Sequence, residues 1–334
     1  MRILTAADVR AAVDMPLAIA LMRDAFAQLA QGSAIMPERT LLRLPERDAS
    51  VLVMPAYLPH GEQLALKVVG VFPGNGARGL PTVPATVLLL DGATGLPLAL
   101  LEGTTLTALR TGAVTGLATD LLARSEARVL TLFGAGGQAP DQLEAVCRVR
   151  HIERAWLISR NSERADRLAA RVATWPAWRP AEVRVARTPA QVRAAVREAD
   201  VIVTATPATE PLFAGEWVRP GTHVNAIGAF TPVMRELDSA LLRRALLVVD
   251  QRAAALAEAG DLLCAIGEGA LDAGAIHAEL GELVLGSRPG RTDSERITCF
   301  KAVGLAVQDV AVAAAVNREA ARLGLGIEVD LSGA

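Results

Sequence analysis

Aromatic side chains are scarce in this chain: one tyrosine, six phenylalanines and four tryptophans among 334 residues. A β-sandwich or small barrel, whose core leans on aromatic and β-branched residues, is therefore a poor fit. Alanine, leucine and valine supply the apolar content, which favours a helix-rich α/β architecture. Cysteine is rare too. Cys147, Cys264 and Cys299 lie far apart, with no CxxC and no Cys/His cluster, so neither a disulfide framework nor a metal site is expected. A charge excess is missing, with a formal net charge of −2, and a nucleic-acid partner would want a strongly basic surface. Long apolar runs are also lacking. The best of them, Ala302 to Val316, is interrupted by Gln308 and Asp309, so no membrane partner is expected. The first residues are charged too early for a signal peptide, and a cytoplasmic location is the expectation.

What is present falls into two patterns. Asp14-Met15-Pro16 opens a helical repeat of Leu17, Leu21, Ala25 and Leu29, which Gly32 can end. From about Thr40 to Leu101 the period becomes that of strands, at Val51–Met54, Leu64–Val69 and Thr86–Leu90. A turn at Asp91–Gly95 joins the last of these to Leu98–Leu101 as a hairpin. Thr104 to Ala123 reads as a helix with alanine and leucine on one face. After Arg124, strands and helices alternate. The candidate strands are Val129–Phe133, Ala155–Ser159, Val183–Ala186, Val201–Ala205, His223–Ile227 and Leu246–Asp250. Helices are expected at Asp141–Val149, Ser162–Ala173 and Pro189–Glu198. That alternation predicts a doubly wound parallel sheet of Rossmann type. A final helix over Lys301 to Leu323 is expected to pack back on the N-terminal part. The division is thus 1–120 with 302–334, an α+β domain, and 121–301, the Rossmann domain.

The run Val129–Phe133 leads directly into Gly134-Ala135-Gly136-Gly137-Gln138-Ala139 and then a helix. This is GxGxxA with a strand before it and a helix after it. Gly134 permits the tight turn and Gly136 lets the backbone approach a pyrophosphate. Ala139 allows close helix packing, and the helix N-terminus stabilises the phosphate charge. An NAD site ends its second strand in a carboxylate. Here the strand runs into Ser159-Arg160-Asn161-Ser162, with Arg164 one turn on. A guanidinium suits a 2′-phosphate, so NADP(H) is expected in preference to NAD(H).

Lys67 interrupts an apolar strand and precedes Pro73-Gly74-Asn75, Gly79-Leu80-Pro81-Thr82 and Leu106-Thr107-Ala108-Leu109-Arg110-Thr111. With Asp91 to Pro97, Gly134 to Glu144, Val224-Asn225-Ala226-Ile227-Gly228 and Glu258-Ala259-Gly260-Asp261, these stretches resemble the ornithine cyclodeaminase/μ-crystallin family over nearly the whole chain. The resemblance implies a homodimer in which the N-terminal part and the C-terminal helix form a substrate and dimerisation domain. It implies that Arg39, Lys67, Thr82 and Arg110 surround a substrate carboxylate, with Arg43 close enough in sequence to be confused with Arg39. Convergent cations bind a carboxylate well, and arginine can do so bidentately. Lys67 and Arg110 are the candidate catalytic residues. The cofactor-binding set is Thr111, Gly134, Ala135, Gly136, Gly137, Gln138, Ser159, Arg160, Asn161, Arg164, Thr204, Ala205, Thr206, Ile227 and Gly228.

Members that cyclise and deaminate ornithine carry an acid two positions after the strand-end glycine; the resemblance places Phe230 there. Phenylalanine cannot serve as a base. The implied activity is instead NAD(P)H-dependent reduction of a cyclic imino acid, Δ1-pyrroline-2-carboxylate to proline or Δ1-piperideine-2-carboxylate to pipecolate. One ring methylene is worth only about 1–3 kcal/mol of discrimination. Lys67 or a water held by Thr111 is the candidate proton donor. The alternatives are an ammonia-releasing cyclodeaminase, for which Glu102 or Asp309 would have to supply the missing carboxylate, and a non-catalytic NADPH-dependent binder. His60, His151, His223 and His277 receive no role. Gly260 is expected to cap a helix end, and Cys147 and Cys264 are expected to be buried.

Overall fold

A computed structural model describes residues 1–176 and 178–331. The chain divides into two compact units, Met1–Arg110 with Leu305–Ala334, and Thr111–Gly304. The chain passes between them at Arg110/Thr111 and Gly304/Leu305, in place of the expected 120/121 and 301/302.

The first unit is built on a seven-stranded sheet. Its order is Ile327–Glu328, Arg2–Leu4, Pro97–Glu102, Ala85–Asp91, Gln63–Val71, Ala49–Leu58 and Thr40–Leu44. The last five of these form an antiparallel meander. The hairpin after Asp91 closes because its Oδ1 accepts the Ala93 and Thr94 N–H groups and Gly95 takes a φ of 75°. Helices Ala6–Ala12 and Met15–Ala30 begin at Thr5 and Asp14, whose side chains cap the first turns. Helix Ala306–Leu323 packs on the inner face of the sheet. Along Gln63–Val71 the side chains alternate. Ala65, Lys67 and Val69 are buried on the inner face, whereas Val68 on the outer face is 40% exposed.

The second unit is an eight-stranded, all-parallel sheet. Its order is Ile276–Glu279, Ala245–Val249, Ile297–Lys301, His223–Ala226, Val201–Thr204, Val129–Phe133, Arg154–Ile158 and Glu182–Ala186. Successive strands run outward from Val129–Phe133 in one direction and then the other. The order therefore reverses between Val129–Phe133 and Val201–Thr204, which is where a doubly wound sheet opens a crevice at its carboxyl ends.

Several expectations are corrected. Ile276–Glu279 and Ile297–Lys301 are strands that the alternation did not reveal, and Lys301 ends a central strand instead of opening the last helix. Gly304, at a φ of 83°, separates the two apolar segments that read as one. The helix Gly103–Leu122 is not one-sided. Leu106, Leu109, Val114, Leu117 and Leu122 are buried together with Thr115 and Thr119, as in a helix enclosed on all sides. Gly260 opens helix Gly260–Gly267 and caps nothing; a Cβ there would meet the Met234 carbonyl oxygen at 1.9 Å. Cys264 is half-buried, while Cys147 and Cys299 are buried and burial pushes each thiol up to about 12.

Helix approach in the second unit depends on Gly112, where a Cβ would fall 2.6 Å from the Asp141 carbonyl oxygen. Gly112→Ala is expected to lower unfolding stability by about 1–3 kcal/mol through overpacking, despite the better helix propensity of alanine. Denaturant unfolding checks this, and an unchanged midpoint would contradict the close approach.

Candidate functional site

In the first unit a buried charge cluster forms on the inner face of the sheet. Strand alternation turns Lys67 inward, where it is 2% exposed. Its Nζ lies 2.6 Å from Asp309 Oδ2. Arg110, the last residue of this unit on the helix that starts at Gly103, donates from Nε to Asp309 Oδ1 at 3.0 Å. From Nη1 it donates to Gln308 Oε1 at 2.6 Å. Gln308 and Asp309, both buried, sit in the first turn of helix Ala306–Leu323. One carboxylate thus serves two cations. The Arg39 charge also acts on Lys67, whereas Arg43 is exposed on its strand. Burial brings the Lys67 ammonium down to about 8; Asp309 works against that fall, and Arg110 and Arg39 add to it.

Positive charge therefore exceeds negative charge in a desolvated place, a setting that favours an added anion. The Gln308 Nε2 is buried without a hydrogen-bond partner among the described residues, so a donor is left over for a ligand oxygen. Thr82 is not part of this cluster. It is exposed on the loop after Gly79, its carbonyl accepts the Phe72 N–H at 2.8 Å, and no described hydrogen bond joins it to the three cations. Glu102 is committed elsewhere: its two carboxylate oxygens accept the N–H groups of Thr104 and Thr105 at the start of their helix. Sequence reading treated Gln308 as an interruption of an apolar run and Asp309 as that or as a substitute acid for deamination, and did not pair either with Lys67 or Arg110. Two polar neighbours in such a run were the available signal.

In the second unit the carboxyl ends of the central strands hold the glycine loop. Gly134 has a φ of 108°, and a Cβ on it would lie 2.4 Å from the Ala205 carbonyl oxygen. Nothing stands within 4 Å of a Cβ built on Gly136 or Gly137, so their backbone is open to a ligand. Helix Ala139–Val149 starts beyond Gln138 with no side-chain cap; the Ala139 N–H donates to the Gly136 carbonyl at 3.1 Å and Pro140 follows, so the positive end of the helix faces the glycine loop. Ala139 is buried, as close helix packing requires. Beyond the next strand, Ser159 and Arg160 line a groove of about 590 Å³ with Arg187, Leu212 and Trp217. Asn161 caps helix Ser162–Ala173 through the Arg164 N–H, and Ser159 Oγ accepts the Asn161 N–H. Arg164 itself is exposed and does not line the groove.

Thr204, Thr206 and Gly228 share a partner that pattern reading passed over. The Glu236 carboxylate accepts Thr204 Oγ1–H at 2.8 Å, Thr206 N–H at 2.7 Å, Thr206 Oγ1–H at 2.8 Å and Gly228 N–H at 2.7 Å. Burial pushes this carboxyl up, against the pull of Lys301. Ala205 and Ile227 lie on the same strand ends, and Thr111 is buried on its helix. Phe230 packs against the apolar core of this unit and brings no acid to its position. His223 is a core residue between Thr298 and Asn225, held neutral by burial with its ionisation lowered to about 3.

Known proteins are similar to this chain along its whole length. A Δ1-pyrroline-2-carboxylate reductase of Bacillus cereus is 40% identical over 331 residues, 99% of this chain and 100% of the relative. The structure of the Thermococcus litoralis Δ1-pyrroline-2-carboxylate reductase, in complex with NADH and L-proline, superposes with a TM-score of 0.92 at 39% identity, covering 98% of this chain and 100% of that one. An archaeal alanine dehydrogenase dimer with bound NAD gives a TM-score of 0.90 at 36% identity, with 99% of each chain covered. The ornithine cyclodeaminase/mu-crystallin family profile matches residues 1–323, and the chain belongs to that family.

Proposed function

We propose that this chain is an NAD(P)H-dependent reductase of cyclic imino acids, with Δ1-pyrroline-2-carboxylate the preferred reading and Δ1-piperideine-2-carboxylate close to it. The observation that carries the reading is the buried Lys67–Asp309–Arg110 cluster with its surplus of positive charge, beside a chain that has Phe230 where a deaminating acid would stand. The relatives named above supply the substrate class.

Arg110 and Arg39 take the substrate carboxylate, and Gln308 Nε2 offers it a further donor. Lys67 then holds a proton for the imine nitrogen. When bound, the nicotinamide cofactor supplies a hydride, which adds to the C=N carbon as that nitrogen gains its proton, so the double bond becomes CH–NH. Asp309 keeps Lys67 charged in a place where burial alone would discharge it, and it fixes Arg110 at the same time. The open backbone at Gly136 and Gly137 and the uncapped helix start would hold the pyrophosphate of the cofactor. Arg160 and Arg187 line the groove expected to take the adenosine end, and the absence of a carboxylate among its lining residues favours a 2′-phosphate.

A second copy of the chain is the proposed partner. The outer face of the first unit's sheet is apolar: Pro55, Leu66, Leu88 and Leu100 form one cross-strand row, flanked by Val68 and by Leu98, which is 39% exposed. Such a face wants a cover, and the related alanine dehydrogenase is a dimer. No helix among the described residues is long and apolar enough to cross a membrane, and the three cysteines are free. A cytoplasmic setting fits those thiols.

Four outcomes are expected. Purified protein oxidises NADPH stoichiometrically with Δ1-pyrroline-2-carboxylate and releases no ammonia from L-ornithine; comparable ammonia release would overturn the reading. kcat/KM falls as the pH rises above about 8, because the proton on Lys67 is then lost, and Asp309→Asn moves that limb to lower pH by removing the charge that opposes discharge. A limb that stays in place in Asp309→Asn rules out Lys67 as its source. Wild type prefers NADPH, and Arg160→Ala lowers kcat/KM with NADPH about tenfold while leaving NADH within about twofold. A wild type that prefers NADH removes the 2′-phosphate assignment. Sedimentation shows a dimer that Leu88→Glu splits into monomers, and a monomeric wild type would refute the second-copy proposal.

A further inference from the structure

We infer that Glu236 is a positioning residue for the dinucleotide, acting through the strand ends at Thr204–Thr206 and Ile227–Gly228. The inference rests on the dinucleotide reading of the second unit.

A carboxylate has about four lone-pair sites, and Glu236 has four donors on them. Two of those donors, the N–H groups of Thr206 and Gly228, belong to the backbone and cannot turn away. The two strand ends are also in direct contact: a Cβ on Gly228 would fall 2.2 Å from the Thr206 carbonyl oxygen and 2.5 Å from Glu236 Oε1. The same turn reaches the phosphate loop, since a Cβ on Gly134 would lie 2.4 Å from the Ala205 carbonyl oxygen and 3.4 Å from Thr206 Cγ2. Glu236 thus sets the spacing of three backbone segments that line the crevice of this unit.

Glu236 is itself anchored. Asp261 Oδ1 accepts the Glu236 N–H at 2.6 Å and the Leu237 N–H at 2.8 Å, and its Oδ2 pairs with Lys301 Nζ at 2.8 Å. Lys301 ends the strand that pairs in register with Ala226, next to the Ile227–Gly228 turn. Gly260 lets its helix approach the Met234 carbonyl closely enough for Asp261 to reach these groups. The Glu258-Ala259-Gly260-Asp261 stretch, which had only a capping explanation, becomes the platform under Glu236. All three charged groups are buried, so their geometry is held tightly and the loss of one is felt by the others.

Glu236→Gln tests this, because it keeps size and shape but points an N–H₂ group at one of the donors. NADH affinity is measured by fluorescence titration without substrate, together with kcat and KM for Δ1-pyrroline-2-carboxylate and the thermal midpoint. The expected result is a rise in NADH Kd and a fall in kcat, each of about tenfold, with the imine KM within about twofold. A lower midpoint with unchanged Kd and kcat would show a purely structural role and overturn the inference. Should Glu236→Gln not fold, Thr206→Val removes the hydroxyl that donates to Glu236 and accepts the Ala208 N–H, and is expected to raise the NADH Kd about threefold; an unchanged Kd again overturns it. Wild type that neither binds NADH nor reduces the imine would instead refute the reading on which the inference rests, which separates the two failures.

Discussion

A single carboxylate, Asp309, organises the first unit. It lies on a helix whose neighbours are alanine and valine, is almost wholly buried, and faces Lys67 from a strand and Arg110 from another helix. Removing one partner from such a group strands a charge in a low-dielectric place, which costs several kcal/mol on the scale of about 3–5. The helix, the strand and the N-terminal half of the Gly103–Leu122 helix are therefore held in one arrangement by electrostatics as well as by packing. The same arrangement sets two cations, Lys67 and Arg110, against one carboxylate.

The second unit solves a different problem by the same means. Its strands are buried on both faces, so their carboxyl ends must satisfy backbone groups without help from solvent. Buried carboxylates do this repeatedly. Glu236 takes the ends of two neighbouring strands, and Asp261 takes the segment that carries Glu236. Asp250 accepts the N–H groups of Val303 and Gly304 at 2.8 Å. None of these acids caps helix Ala139–Val149, whose start carries no side-chain cap.

Much of this was legible in the chain. Val129–Phe133, Ser162–Ala173 and Pro189–Glu198 stand where their patterns put them, because strand alternation, caps and proline positions are local signals. Ile297–Lys301 was not legible. Its lysine and the following apolar residues read as the start of the last helix, and only Asp261, forty residues back, makes a lysine acceptable at the end of a buried strand. Arg39 and Arg43 were equivalent as letters. The fold separates them by letting the charge of one reach Lys67 while the other faces solvent.

The amino-acid sequence by itself determined the alternation of strands and helices and the glycine loop between a strand and a helix. These follow from period, backbone conformation and side-chain type, all of which act over a few residues; Lys67 and Arg110 stood out through the family resemblance. Tertiary structure alone decided which acids face which partners. Glu102 caps a helix, Asp309 bridges two cations and Glu236 gathers two strand ends, although all three carry the same carboxylate group. The reason is physical: the worth of a buried charge is set by what surrounds it, and those surroundings are drawn from segments far apart in the chain.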